Sequence, residues 1–258
     1  MKKNNAEEYS MVEKHTQTLN DNKFSDQINN YFEKSIGTNL DKLKNFCKFV
    51  PRQTISHFLA KNELFKLILN SHGHIVECGV YLGGGLMTWA ELSAIYEPYN
   101  HTRRIIGFDT FSGFPTINKK DKSSKNTKYT NKGGLSANSL ADITDSVKLY
   151  DLNRPIGHIN RVELVEGDAT ITIPKFLKDN EHTVISLLYL DFDLYEPTKI
   201  ALETFLPRMS KGSIIVFDEL NQAQWPGETL AVMDTIGIKN LRIQRFPFTP
   251  QLSYAIID

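Results

Sequence analysis

The sequence predicts an α/β protein: a seven-stranded, mainly parallel sheet closed by an antiparallel hairpin, with a helical segment ahead of it. Three observations predict it. Short apolar runs that read as buried strands alternate with stretches of helical periodicity from Ile75 onward. The first strand, Ile75 to Val80, breaks into a glycine turn from which a helix starts near Leu86. Later strands end in acids, at Asp109, Asp168, Asp191 and the pair Asp218 and Glu219. In open parallel sheets, ligands sit at the carboxyl ends of the strands.

The glycine turn is the organising stretch. Gly79, Gly83, Gly84 and Gly85 put four glycines in seven residues, so the backbone can pass close to a ligand with no Cβ in the way. The helix start behind them aims unpaired N–H groups at the same space. A dinucleotide fingerprint wants Gly-x-Gly-x-x-Gly. Here the pattern is Glu-x-Gly-x-x-x-Gly-Gly-Gly, with Glu77 two residues before the first glycine. An acid there suits an ammonium or sulfonium ligand and opposes a pyrophosphate.

Composition narrows the partners. The 258 residues suffice for one large catalytic domain. Thirty basic residues balance thirty acidic ones, which argues against nucleic acid or an anionic membrane as partner and for a small molecule. Cys47 and Cys78 lack metal-site or redox-pair spacing and read as reduced thiols. No apolar run follows the amino-terminal charges and no window approaches a membrane span, so a cytoplasmic protein is expected.

Taken in order, residues 1–22 are polar and form an expected flexible arm. Residues 23–70 form an expected helical segment, broken at Gly37 and Thr38, and 71–258 the main domain. The apolar residues of the amino-terminal helices exceed what a loose arm needs, which predicts a homo-oligomer. Met87 to Tyr96 is helical and stops at Pro98. Arg103 to Asp109 is the second strand, and its terminal acid can accept both ribose hydroxyls. The insertion at about 116–160, helical only from Leu140 to Leu152, is read as a lid over the cofactor. Arg161 to Asp168 is the third strand, and Asp168 can take the exocyclic amine of an adenine. Val184 to Asp191 is the most apolar strand and therefore central. A helix from Glu196 to Arg208 and a Lys211-Gly212 turn lead to the fifth strand, Ser213 to Glu219. Two strands from Asn240 to Ile257 close the sheet.

Neighbouring strands lie about 4.8 Å apart, so Asp191 approaches Asp218 and Glu219. A hard divalent cation with oxygen ligands would relieve their repulsion. His158, at the end of the lid, is a second candidate base. Trp225 follows the carboxylate pair and offers an apolar wall to a substrate ring.

Several segments together resemble the macrocin-type sugar O-methyltransferases of antibiotic biosynthesis. They are Tyr96 to Asn100, Arg103 to Pro115, Asp191 to Lys199, Lys211 to Ile214, Phe217 to Leu220 and Trp225 to Glu228. The resemblance implies a Rossmann-like class I methyltransferase fold and S-adenosylmethionine as cofactor. It assigns Glu77, Gly79, Tyr81 and Gly83 to the methionine part, Asp109 to the ribose, and Asp168 with Ala169 to the adenine surroundings. Ser112 joins the cofactor set, and Phe114, Asp193 and Trp225 the acceptor set. Asp191, Asp218 and Glu219 correspond to the family's metal acids, with Mg²⁺ as the expected ion, although a second aspartate is usual where this chain has Glu219. The expected reaction is attack of a sugar hydroxyl on the sulfonium methyl, with Asp191 taking the proton. Two rivals are a nicotinamide-dependent sugar oxidoreductase and a non-catalytic sugar-binding protein on the same scaffold. The absent Gly-x-Gly-x-x-Gly opposes the first, and the full set of cofactor acids the second.

Overall fold

A computed structural model describes residues 18–126 and 128–258. The arm expected over residues 1–22 falls mostly on residues 1–17, outside the described residues, and a helix begins within its last four positions. The chain divides into two compact units, residues 1–56 and 57–258.

In the first unit, α1 (Leu19–Lys34) and α2 (Asn39–Lys44) flank the break at Gly37. Thr38 and Asp41 form a reciprocal capping box that starts α2. Phe49 packs edge-on to Phe32 at 5.0 Å, and Lys42 Nζ donates to the Phe32 carbonyl at 2.6 Å.

In chain order the remaining elements begin with α3 (Arg52–Leu67), β1 (His74–Cys78), α4 (Gly84–Tyr96) and β2 (Ile105–Asp109). The insertion carries α5 (Leu140–Leu152), then come β3 (Val162–Glu166), α6 (Ala169–Asp179) and β4 (Ile185–Leu190). Last are α7 (Tyr195–Phe205), β5 (Met209–Phe217), α8 (Pro226–Thr235), β6 (Gln244–Phe246) and β7 (Thr249–Ile256). The sheet order is β3-β2-β1-β4-β5-β7-β6, with β7 antiparallel to both its neighbours. This is the seven-stranded, hairpin-closed sheet that the strand pattern predicts.

The period of two in the strands sorts the core into two faces. Ile75, Leu187, Tyr189, Ile214 and Val216 point to one, against residues of α3, α4 and α5. Val76, Cys78, Leu188, Leu190, Ile215 and Phe217 point to the other, against α6 and α7. β4 is buried at every position, as a central parallel strand must be.

Two expectations change. The Lys211-Gly212 turn lies inside β5, where pairing with β4 jumps from Ile185↔Met209 to Leu187↔Ile214 and Gly212 takes φ +84° within the bulge. Helix α8, started by Pro226 in its first turn, has no counterpart in the sequence reading. Among the described residues no helix is long and apolar enough to cross a membrane.

At the amino ends of the strands, Arg103 is buried and donates to the carbonyls of Gly73 (2.9 Å), Ile68 (3.0 Å) and Ser71 (2.7 Å), while its Nε pairs with Glu97 (2.9 Å). One guanidinium thus ties the ends of α3 and α4 to the start of β1. Beside it, His74 Nδ1 accepts the Arg104 N–H at 3.1 Å. Burial first, then the nearby charges of Arg104, His182, Arg103 and His72, push the His74 pKa down from 6.5 to about 4. Between those values the unfolded chain binds a proton that the folded chain excludes, so this contribution to stability is lost as pH falls through the window. Urea unfolding at about pH 5 and about pH 7.5 should show a smaller loss for His74→Asn than for the wild type; equal losses would contradict it.

Candidate active site

The parallel strands end on one line. Gly167 N donates to Asp109 O (2.9 Å), Gly79 N to Phe108 O (2.9 Å), Asp191 N to Cys78 O (2.8 Å) and Asp218 N to Leu190 O (3.1 Å). This ladder brings the acids of four strands to a common edge, as expected. Backbone strain collects there too. Tyr81, Phe111, Asp193 and Asn221, which follow β1, β2, β4 and β5, all take positive φ without being glycine.

The glycine turn is held from outside. Asp109 Oδ2 accepts the N–H groups of Val80 (2.7 Å) and Tyr81 (2.8 Å), and its Oδ1 accepts that of Phe111 (2.7 Å). A carboxylate offers roughly four acceptor positions, so capacity remains on Oδ1 for a hydroxyl. Asp109 therefore shapes the turn, a role its position at a strand end did not reveal. Gly79, at φ +98°, lies so close to the main chain of Asp191 that a Cβ would overlap the Asp191 carbonyl. Gly83, at φ +85°, packs on Ile143 of α5. A Cβ on Gly84 would meet nothing within 4 Å, so the turn opens to free space at that residue. Such a cradle, with the α4 N-terminus behind it, fits a cofactor.

Glu77 departs from expectation. Its side chain is buried, with Oε2 accepting Trp89 Nε1 at 2.6 Å and pairing with Lys61 Nζ at 3.4 Å. The ammonium of Lys61, over the Tyr189 ring at 3.6 Å and the Trp89 ring at 4.6 Å, is the protein's own cation beside this carboxylate. A strand residue followed by Cys78 on the opposite face must point into the α3 and α4 layer, which is why Glu77 faces inward. Burial raises its pKa, and Lys61 and Trp89 act against that rise.

The acids after β4 and β5 regroup. Ligand oxygens of Asp191, Asp193 and Glu219 lie within 4.8 Å of one another. Asp218, expected in this set, accepts the Tyr189 hydroxyl on Oδ1 at 2.5 Å and also shares a side-chain hydrogen bond with Glu219, so it borders the trio. Asp193, expected to touch the acceptor, joins the cluster instead. Burial, then repulsion from the other carboxylates, drives the pKa of Asp191 well above the ordinary range, and burial followed by the charges of Asp193 and Asp218 does the same for Glu219. An all-oxygen donor set under mutual repulsion fits a hard divalent ion.

Asp168 caps α6, its Oδ1 accepting Thr170 N (2.9 Å) and Oγ1 (2.7 Å), and Ala169 is buried as the first residue of that helix. Ser112 is exposed on the turn after β2. Phe114 meets Trp225 edge-on, ring centroids 5.9 Å apart, so the two aromatic residues expected to line the acceptor side do come together. His158 does not join them. The chain passes along α5 back toward the amino ends of the strands, and His158 is exposed four residues before β3 begins, at the edge opposite the acids. Its candidacy as base is withdrawn.

Among the buried charged residues to which no sequence motif assigned a role, Lys61, Glu228 and Asp121 bear on the site. Lys61 has no local signal beyond a lysine on the inner side of a helix. Glu228 is fully buried, and its Oε1 accepts the Glu219 N–H at 3.0 Å, fixing the main chain that carries the third acid. Asp121, inside the insertion, is 1% exposed.

A family profile described as "Macrocin-O-methyltransferase (TylF)" matches residues 52–235. The solved structure of a calicheamicin methyltransferase, CalS11, is similar at 34% identity and a TM-score of 0.89, covering 93% of each chain. Its apo form, described as a TDP-rhamnose 3'-O-methyltransferase, gives 33% identity and a TM-score of 0.81 over 93% of this chain and 95% of that one. A curated relative from Streptomyces olivaceus, a 4'-O-methyltransferase of a dimethoxyrhamnosyl-tetracenomycin, is 26% identical over 149 residues, 57% of this chain. The match spans only 52% of that relative's length.

The buried pair generates a stability prediction. Lys61→Met leaves Glu77 as an uncompensated buried carboxylate and should cost about 3–5 kcal/mol in urea unfolding. Lys61→Met combined with Glu77→Gln should recover most of that loss. A double variant no more stable than the single one would contradict the pairing.

Proposed function

The chain belongs to the macrocin-O-methyltransferase family, and from that premise we propose that it is an S-adenosylmethionine-dependent O-methyltransferase acting on a hydroxyl of a deoxysugar. The acceptor is nucleotide-linked or part of a glycosylated natural product. The single observation that carries the reading is the acid trio Asp191, Asp193 and Glu219 beside a glycine turn that opens to free space. The relatives named for their acceptors methylate rhamnose-type sugars, on a TDP carrier or on a finished glycoside. Both rivals lose support, since those relatives are enzymes that transfer methyl groups.

When bound, S-adenosylmethionine supplies a methyl group already activated by its sulfonium, and a Mg²⁺ held by Asp191, Asp193 and Glu219 would supply a Lewis acid at the acceptor hydroxyl. The protein's own part is positioning and proton removal. Asp109 holds the turn in shape and offers its remaining acceptor capacity to the ribose. Tyr81, Gly79 and Gly83 border the methionine part, and Asp168, Ala169 and Ser112 the adenine side. Phe114 and Trp225 present a ring wall to the sugar. Asp191 is the residue to receive the hydroxyl proton, because its main chain packs against Gly79 while its carboxylate belongs to the trio, so it stands between donor and acceptor. Alignment of the reacting atoms supplies much of the remainder, up to about 7–11 kcal/mol in well-oriented reactions.

The test is mass spectrometry of purified protein given methyl-labelled S-adenosylmethionine and a panel of TDP-deoxysugars. Label on one sugar hydroxyl is expected, with Asp191→Asn reduced by about 10²–10⁴-fold, the usual weight of a general base. Absence of labelled sugar across the panel, or full activity of Asp191→Asn, would overturn the reading.

A further inference from the structure

The insertion is fastened to the site rather than merely lying over it. Its first part is closed into a loop: Phe114 N donates to Gly134 O (3.0 Å) and Gly133 N to Phe114 O (2.8 Å). Between them, residues 118–126 reach two separate loops. One is the turn from β4 into α7, which carries Asp193. There the Asp121 carboxylate accepts the Tyr195 N–H at 2.6 Å, Asn118 Nδ2 donates to Glu196 at 3.1 Å and Lys120 Nζ donates to the Tyr195 hydroxyl at 3.0 Å. The other is the loop from β5 into α8, which carries Trp225. There Ser123 Oγ donates to Ala223 O at 2.5 Å and Asn126 Nδ2 to Gln224 O at 2.9 Å.

Asp121 is the centre of this strap. Its second oxygen accepts the Asn118 N–H at 2.7 Å, so one buried carboxylate folds the strap on itself and caps the first amide of α7. The space is shared with α8, since a Cβ on Gly227 would land on Asp121 Oδ1 and Tyr195 N. Burial raises the Asp121 pKa, while the Tyr195 and Asn118 amides hold it back.

We propose that Asp121 is a positioning residue for the acceptor: it seats residues 118–126 across the Asp193 and Trp225 loops and so fixes the spacing between the acid trio and the aromatic wall. This rests on the methyltransferase reading above. None of the bonds made by residues 118–126 reaches the Asp109-held cofactor turn, so acceptor recognition and cofactor binding should separate.

Asp121→Asn keeps the shape but sets an amide N–H against the Asn118 N–H. Asn126→Ala cuts the Gln224 link and a bond to the Asp121 main-chain carbonyl but leaves the Asp121 carboxylate and its two amide partners in place, and so guards against a misfolded first variant. With TDP-rhamnose as acceptor probe, each variant should raise acceptor KM about tenfold while kcat stays nearly unchanged. Calorimetry should give unaltered affinity for S-adenosylhomocysteine. Hydrogen–deuterium exchange should quicken at residues 192–196 and 220–226 and stay the same at 79–85. Unchanged exchange at those loops, an unchanged acceptor KM, or a parallel loss of S-adenosylhomocysteine affinity would overturn the proposal. A wild type that methylates no nucleotide sugar would instead overturn the methyltransferase reading, with the exchange data still deciding for or against the strap.

Discussion

Three main-chain N–H groups converge on the carboxylate of Asp109, and the rest of the site depends on that convergence. Charge-assisted bonds of this kind are about twice as strong as neutral ones. They hold Tyr81 and Phe111 at positive φ, where each would otherwise cost of order 1–3 kcal/mol. With the turn fixed, Gly79 can lie against the Asp191 main chain and Gly83 against Ile143. The cradle is thus shaped before any ligand arrives, which lowers the ordering cost of binding.

Behind the cradle, charge is balanced by burial rather than by solvent. Lys61, Glu77, Trp89, Tyr189 and Asp218 form a continuous line of contacts from α3 to the end of β5. In front of it, Asp191, Asp193 and Glu219 face one another with their main chain pinned, Glu219 through Glu228. Clustered carboxylates are unfavourable in a closed site, and the fold tolerates them because the strand ladder and the buried helix contacts fix the backbone. In the proposed mechanism that stored repulsion favours a divalent cation. The cost of keeping the site empty and the affinity for the ion have the same electrostatic source.

Much of this was legible in the sequence, because strands write a period of two and their ends carry acids. The organising strand, the glycine turn, Asp109 and the acids after β4 and β5 all follow from local pattern and strand spacing. What was illegible involves long-range choices. Glu77 reads as a ligand acid until Lys61, sixteen residues earlier on α3, is found paired with it. Asp193 enters the acid cluster while Tyr189 holds one oxygen of Asp218 at its border, contacts that adjacency of strands cannot reveal. His158 was misplaced since an insertion's length says nothing about where its helix returns the chain. Asp121 sits in a lysine-rich stretch that looks like solvated loop, and only the meeting of α7, α8 and Gly227 shows why an acid is buried there.

The central claim is that the trio of carboxylates at the sheet edge is a cation site. Calorimetric titration of the metal-free protein with Mg²⁺ tests it most directly, with Glu219→Gln as the comparison. The account predicts one ion per chain for the wild type, a thermal midpoint that rises with added Mg²⁺, and binding weakened or lost in the variant. No heat of binding and no shift in the wild type would contradict it.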